Sequence, residues 1–430
     1  LVRPGRALDR RRFVADDEES WMFRVSLSLA LISLSLSAAA CTSESSSLGR
    51  GVGGAVGSGG SGGSGGSTLG TGGAAGPGGV GSGGAAAGGS TGTVGGVGGA
   101  TGAGGTTGAG GATSALWRCP AGPFASLTSA GVTALASPQR LAGAPPDDGY
   151  AQGVSISIIE GPVWLGDALY VSQILGGGPP PPLSRILKIV PGSPATVFAL
   201  SDGTNGLAIL PDGDLVGAIH IDGSVCRVPL ANPNFLVPIA YQYLGARFDS
   251  PNDLAVRSDG NIYFSDPTYQ APSPAPQAAT RVYRSSPLPA AVVSVVDDSI
   301  SQPNGVTLSL DERALYVSGP GLFKYAVAVD GSVGARQPAV ASPPPAANGY
   351  AGTDGMVMDC AGDLYVAQGQ AVAVINLAAG TEVGRIAVPG VQAVTNLAFG
   401  GADHQTLFIT TLDATPGIFT VAMPLPGMPY

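Results

Sequence analysis

Histidine is almost missing from this chain: only His220 and His404 occur in 430 residues. That excludes metal sites built from several histidines and leaves a Ser-His-Asp triad little room. Charge is scarce too. Charged residues make up 11% of the sequence, the net charge is −9, and the 20 Lys plus Arg form no long run. A nucleic-acid partner would need a basic footprint, so that class is set aside. No Gly-x-x-x-x-Gly-Lys-Ser/Thr phosphate loop is present. The 4 cysteines show no Cys-x-x-Cys spacing, which argues against zinc.

Glycine, by contrast, is abundant, with 69 residues, and much of it lies between Gly49 and Thr113. This tract of Gly, Ala, Ser, Thr and Val cannot bury enough apolar surface to offset its ordering entropy, and it reads as a disordered tether. Matches to a nucleophile elbow inside it, such as Gly88-Gly-Ser-Thr-Gly92, lack the flanking strand and helix that motif needs. Ahead of the tether, Met22-Phe-Arg24 precedes the apolar run Val25–Ala40, which ends at Ala38-Ala-Ala-Cys41. That order describes a secretory signal too short to span a bilayer. Small residues directly before Cys41 resemble a bacterial lipoprotein signal. The expectation is therefore an exported chain, lipid-anchored at Cys41 in the periplasm or on the cell surface, or else secreted. Three parts follow: 1–41 extension and signal peptide, 42–115 linker, 116–430 folded domain. In an oxidising compartment Cys119, Cys226 and Cys360 allow three alternative pairings.

The folded part repeats itself. Six phrases begin Glu160-Gly-Pro-Val-Trp, Asn205-Gly-Leu-Ala, Asn252-Asp-Leu-Ala, Asn304-Gly-Val-Thr, Asp354-Gly-Met-Val and Thr395-Asn-Leu-Ala. Most continue into an Asp- or Gly-containing turn and a strand such as Ala314-Leu-Tyr-Val. Several strands per period of roughly 40–50 residues predict an all-β, six-bladed β-propeller. Equivalent positions lie at one radius, so the heads form a ring about the axis. Five of the six heads carry side-chain carboxylate or amide oxygens, and such a ring suits a hard cation. The stretch around Val132-Thr-Ala-Leu135 is expected to supply the outer strand that closes the last blade.

Together, Glu160-Gly-Pro-Val-Trp164, Phe248-Asp-Ser-Pro-Asn-Asp253, Tyr263-Phe-Ser-Asp-Pro267, Gln302-Pro-Asn-Gly305, Thr353-Asp-Gly355 and Thr395-Asn-Leu-Ala-Phe-Gly-Gly401 resemble the gluconolactonase/regucalcin (senescence marker protein) family. The resemblance runs from about Arg140 to Ala422, one motif per blade and in the family's order. It implies a six-bladed propeller that holds a divalent cation, usually Ca²⁺ but also Zn²⁺, Mg²⁺ or Mn²⁺, and hydrolyses sugar lactones. The family's metal trio falls on Glu160, Asn304 and Asp354. Its further cavity asparagine falls on Asn252, which lines the substrate site and in some relatives also ligates.

Asp354 is the preferred acceptor of the attacking water's proton, with Asp253 as the alternative base and substrate-site neighbour. His220, in Gly217-Ala-Ile-His-Ile-Asp222, stands where relatives tend to write Cys-Glu-His-Gly and is a candidate substrate contact. Asn205 is expected to face the cavity, Asp266 to shape a turn or meet substrate, and His404 to be exposed. Partners reduce to a small lactone or ester, no nucleic acid, and a membrane only through Cys41; a monomer is expected. Two other readings stay open: another ester or phosphotriester in the same cavity, and an anchored propeller that binds without catalysis.

Overall fold

Short apolar runs separated by Asp-Gly, Pro-Gly and Asn-Pro turns leave the backbone few choices besides antiparallel strands. The computed structural model describes residues 117–151, 156–176, 181–200, 203–340 and 352–430. The signal, Cys41 and the glycine tract lie outside the described residues, as does most of the Pro-rich stretch after Gly176. No helix among the described residues is long and apolar enough to cross a membrane.

The element order is α1 (Ser129–Thr133), β1 (Gln139–Arg140), and then the blades. Blade one holds β2 (Ile156–Leu165), β3 (Ala168–Gly176), β4 (Ser184–Ile189) and β5 (Thr196–Ala199). Blade two holds β6 (Thr204–Ile209), β7 (Leu215–Ile219), β8 (Ser224–Val228) and β9 (Val237–Ala240). Blade three holds β10 (Leu254–Val256), β11 (Ile262–Asp266), β12 (Arg281–Ser285) and β13 (Val293–Asp297). Blade four holds β14 (Val306–Leu308), β15 (Ala314–Val317), β16 (Phe323–Ala326) and β17 (Gln337–Pro338). Blade five holds β18 (Thr353–Met358), β19 (Leu364–Gln368), β20 (Ala371–Asn376) and β21 (Thr381–Ala387). Blade six holds β22 (Ala393–Gly400), β23 (Thr406–Asp413) and β24 (Ile418–Ala422).

Within each blade the strands pair antiparallel in sequence order, and β2 also pairs with β23, which joins blades six and one. The inner strands are neighbours in a closed ring: β2 with β6, then β10, β14, β18, β22 and back to β2. The fold is therefore a six-bladed propeller. Burial falls from axis to rim: β6 and β7 are wholly buried, β13 is mostly half-buried, and half of β5 is exposed. Aromatic rings fill the seams between blades, with Trp164 stacked on Phe408 at 5.5 Å and Tyr365 edge-on to Phe399 at 5.3 Å.

Two local expectations are corrected. The outer strand that closes blade six is β1, through Gln139↔Thr420 and Arg140↔Phe419, and not the Val132–Leu135 stretch. Residues 129–133 instead form a helix. Thr128 caps it, accepting from the Gly131 amide at 3.1 Å, and Val132 packs over Gly384 of β21.

His404, expected at the surface, is 7% exposed and lies under the indole of Trp117 at 3.9 Å. Its hydrophilic turn gives no hint of that cover, because the ring that covers it comes from the other end of the domain. The Cys119–Cys360 disulfide fastens the same N-terminal segment to blade five, resolving the open pairing, and Cys226 stays a buried free thiol.

Candidate active site and metal centre

The repeat heads stand in the inner strands or just ahead of them, and in four of the six a register shift begins at the head or encloses it. The breaks fall at Glu160/Val163, Thr204/Leu207, Thr353/Met356 and Val394/Leu397. A bulge re-aims side chains without ending the strand, so it turns a row of sheet residues toward the axis. In four blades the residue after the head is glycine. A Cβ on Gly206 would come within 2.7 Å of the Asn252 carbonyl and 2.8 Å of Asp253 Oδ1, and one on Gly355 would overlap the Asn396 amide. Only glycine lets the inner strands approach this closely.

Blades three and six place Asp253 and Asn396 where the others have glycine, and these two side chains meet across the axis. Asp253 accepts from the amides of Leu254 and Val306, both at 2.9 Å, and so ties β10 to β14. Asn396 accepts from the Leu397 amide at 2.8 Å and donates to Glu160 Oε2 at 3.2 Å. Sequence reading took Thr395 as the sixth head and passed over Asn396. Thr395 instead donates to the Ile159 carbonyl at 2.6 Å, seaming blade six to blade one. The clue was present: Asn252-Asp253 and Thr395-Asn396 are the two heads with no following glycine.

Three acids thus face one another with little solvent. Burial raises the Glu160 carboxyl to about 8, helped by the charge of Asp253 and opposed by the Gly161 amide and Asn396. Burial likewise lifts Asp253 to about 7 against its amide donors, Val306 ahead of Leu254. Asp354 is held well above the ordinary carboxylate range by burial, then by Glu160 and Asp253, against the Gly355 amide and Asn304. Among the described residues, none of the three forms an ion pair. Asn205 Oδ1 is also buried without a partner. Gathered acids and an orphaned amide oxygen with no cationic side chain are the donor set of a hard cation.

Among the described residues, His, Cys, Asp and Glu alone make no group of three or more able to hold a metal. A cation would therefore also need amide oxygens, which Asn304 and Asn252 offer. Asn252, Asn205 and Asp253 are buried, whereas Asn304 and Asp354 are only partly covered. The ring accordingly opens on the side of blades four and five.

The remaining candidates are engaged elsewhere in part or in full. His220 is completely buried at the end of β7, with its pKa lowered to about 4 by burial, so the ring is neutral. Its Nε2 lies 2.7 Å from the Pro182 carbonyl, which can only accept, so Nε2 carries the proton and Nδ1 is a bare acceptor without a partner. Asp266 accepts from the amides of Asp249 and Ser250 at 3.0 and 2.8 Å and shapes the approach to Asn252. One group carried no signal in the sequence. Tyr269, in the loop after β11, donates to the Gln302 carbonyl at 3.2 Å and hydrogen bonds to the Asn304 amide.

Similarity to known proteins agrees with this geometry. Residues 158–413 match the family model described as SMP-30/Gluconolactonase/LRE-like region. A gluconolactonase of Zymomonas mobilis is 29% identical over 199 residues, covering 40% of this chain and 53% of that protein. The pentonolactonase XacC of Haloferax volcanii is 34% identical over 124 residues, or 28% of this chain and 41% of the relative. The chain thus spans about half or less of the curated relatives it matches. A solved Xanthomonas campestris gluconolactonase superposes with a TM-score of 0.52 at 26% identity, covering 71% of this chain and 98% of that one. A calcium-binding regucalcin of Agrobacterium tumefaciens, at 18% identity and a TM-score of 0.52, shares the fold and covers 69% of this chain and 96% of its own. With its repeats, its ring of oxygen donors and a family match over most of the propeller, the chain belongs to the SMP-30/gluconolactonase/LRE-like family.

Proposed function

We propose that this propeller is a metal-dependent hydrolase that opens sugar lactones. The observation that carries the reading is the axial cluster of Glu160, Asp253 and Asp354, two buried carboxyls and one half-buried, all raised above the ordinary carboxylate range first by burial and with no cationic side chain paired to them. A structural scaffold has no use for such a cluster, since each buried, unpaired acid costs stability. The relatives named for gluconolactone and pentonolactone chemistry support the substrate class.

Glu160, Asn304 and Asp354, joined by Asn252, would hold Ca²⁺ or another divalent cation. When bound, the cation supplies a Lewis acid that polarises the lactone carbonyl and stabilises the charge developing on its oxygen. Asp354 is better placed than Asp253 to take the proton of the attacking water, because it is partly open and both Asp253 oxygens already accept backbone amides. Water oxygen bonds to the carbonyl carbon as Asp354 takes one of its protons, the ring C–O bond breaks, and Asp354 returns that proton to the ring oxygen, which leaves as the alcohol of the opened hydroxy acid. Asp253 and Asn396 serve as a rigid floor that fixes Glu160.

The test is hydrolysis by the folded domain over a panel of aldonolactones, aryl esters and phosphotriesters, with added Ca²⁺ and after chelation. Lactone opening that chelation abolishes and Ca²⁺ restores is expected. Preference for an aryl ester or phosphotriester would transfer the site to that chemistry, and no turnover of any substrate would leave a binding propeller.

A further inference from the structure

The cavity mouth has a feature that the metal site does not require. The loop that follows β11, Pro267-Thr268-Tyr269-Gln270, leans over the side of the ring where Asn304 and Asp354 are partly open. It is fastened at several points. Gln302 Oε1 accepts from the Thr268 amide at 2.9 Å, and Gln302 Nε2 donates to Thr268 Oγ1 at 2.7 Å. Ser250 Oγ donates to the Pro267 carbonyl at 2.6 Å and accepts from the Gln270 amide at 3.3 Å. Farther along, Gln277 donates through its side chain to the carbonyls of Ala246 and Arg247, each at 2.9 Å. Gln302 makes these contacts from a left-handed backbone, φ 57°, a conformation unfavourable for a residue that bears a side chain. The clasp that holds the loop is therefore strained, and its product is a fixed tyrosine.

Tyr269 does not bury its ring. The side chain is 47% exposed, and its hydroxyl donates to the Gln302 carbonyl at 3.2 Å, beside the Asn304 amide and within the field of Asp354. A half-open aromatic contributes little to packing. It offers an apolar face and a polar tip to whatever enters above Asn304.

We propose that Tyr269 is a specificity-determining residue that selects hydroxyl-bearing lactones: its phenol exchanges the long bond to Gln302 for one to a ring hydroxyl of the substrate. This rests on the lactonase reading and sharpens it, separating aldonolactones from lactones that lack hydroxyl groups. A site built around a hydrogen bond discriminates strongly against ligands that cannot make it.

The experiment compares the wild-type chain with Tyr269→Phe, which removes only the oxygen. Glucono-1,5-lactone and δ-valerolactone, a six-membered lactone without hydroxyls, are assayed side by side, and Ca²⁺ affinity is measured by calorimetry. The ratio of kcat/KM for the two lactones should fall about tenfold, with Ca²⁺ affinity within about twofold of wild type. An unchanged ratio, or a parallel loss on both substrates with weakened Ca²⁺ binding, overturns the assignment and makes Tyr269 a structural neighbour of the metal site. If the wild-type chain opens neither lactone, the lactonase reading fails separately, and binding of D-gluconate then decides on Tyr269. Weaker gluconate binding by the Phe variant upholds it; equal affinity, or none in either protein, overturns it.

Discussion

The two ends of the same inner strands are built on opposite rules. At the head end, Glu160, Asp253 and Asp354 crowd together without counter-charge, and Asn205 Oδ1 has no partner. At the far end, beyond the hairpin turns, loose groups are tied together. Residues 424–430 cross there, accepting from the amides of Trp164 at 2.9 Å, Cys360 at 2.8 Å and Phe399 at 2.9 Å, each from a different blade. The Cys119–Cys360 bridge, the Trp117–His404 stack and the bond from the Leu127 amide to Asp363 at 2.7 Å add a second layer. One end carries stability and the other gathers acids without counter-charge, the division expected where a functional site breaks local rules that the rest of the fold obeys.

That contrast breaks most visibly at Glu160. Glu160→Gln keeps the shape and the bond from Asn396 but removes a charge, so Ca²⁺ affinity should fall at least roughly a hundredfold, and lactone turnover with it. The same variant, stripped of metal at pH 8, should melt a few degrees higher than wild type, because one of three repelling acids is gone. Calorimetry and thermal melts check the pair. A variant that binds Ca²⁺ normally would remove Glu160 from the site.

Breaking the other end should invert the pattern. Cys119→Ser with Cys360→Ser opens a loop of 241 residues and should cost about 2–4 kcal/mol in urea unfolding. Ca²⁺ affinity of the folded fraction should stay within about twofold of wild type. A large loss of Ca²⁺ binding in the folded double variant would mean that the two ends are coupled rather than separate.

The smallest of these effects is a pH dependence confined to the head end. Glu160 and Asp253 have higher pKa values folded, about 8 and about 7, than unfolded. The folded chain therefore holds extra protons, and their contribution to stability is complete below about pH 4. It is lost as pH rises through 7 to 8. The metal-free melting temperature should decline from pH 5 to pH 8.5, and saturating Ca²⁺ should flatten the decline by replacing protons as counter-charge. A flat metal-free profile would show that Glu160 and Asp253 are not held above the ordinary carboxylate range.

Much of the propeller was legible in the sequence. Strand alternation, turn residues and a repeat of roughly 40–50 residues are local properties that survive without knowledge of contacts. Equivalent repeat positions also imply a common radius, so Glu160, Asn205, Asn252, Asn304 and Asp354 could be assigned to one ring before any coordinate was known. What lay beyond that reasoning was every feature made by residues far apart in the chain. Asn396 turns toward the axis because a bulge re-aims it, and Thr395 is taken by a carbonyl of blade one.

Gln139–Arg140 closes the ring because its edge reaches β24, and Val132 is helical because Thr128 caps it. His404 is buried only because Trp117 arrives over it, and Tyr269 reaches Asn304 only because Gln302 clasps its loop. Periodicity and turn chemistry determined the blades by themselves and set the repeat heads in the inner strands or just ahead of them, because both are written at short range. The tertiary structure alone decided which side chains reach the axis and which end is sealed, because long-range pairing depends on where distant segments meet.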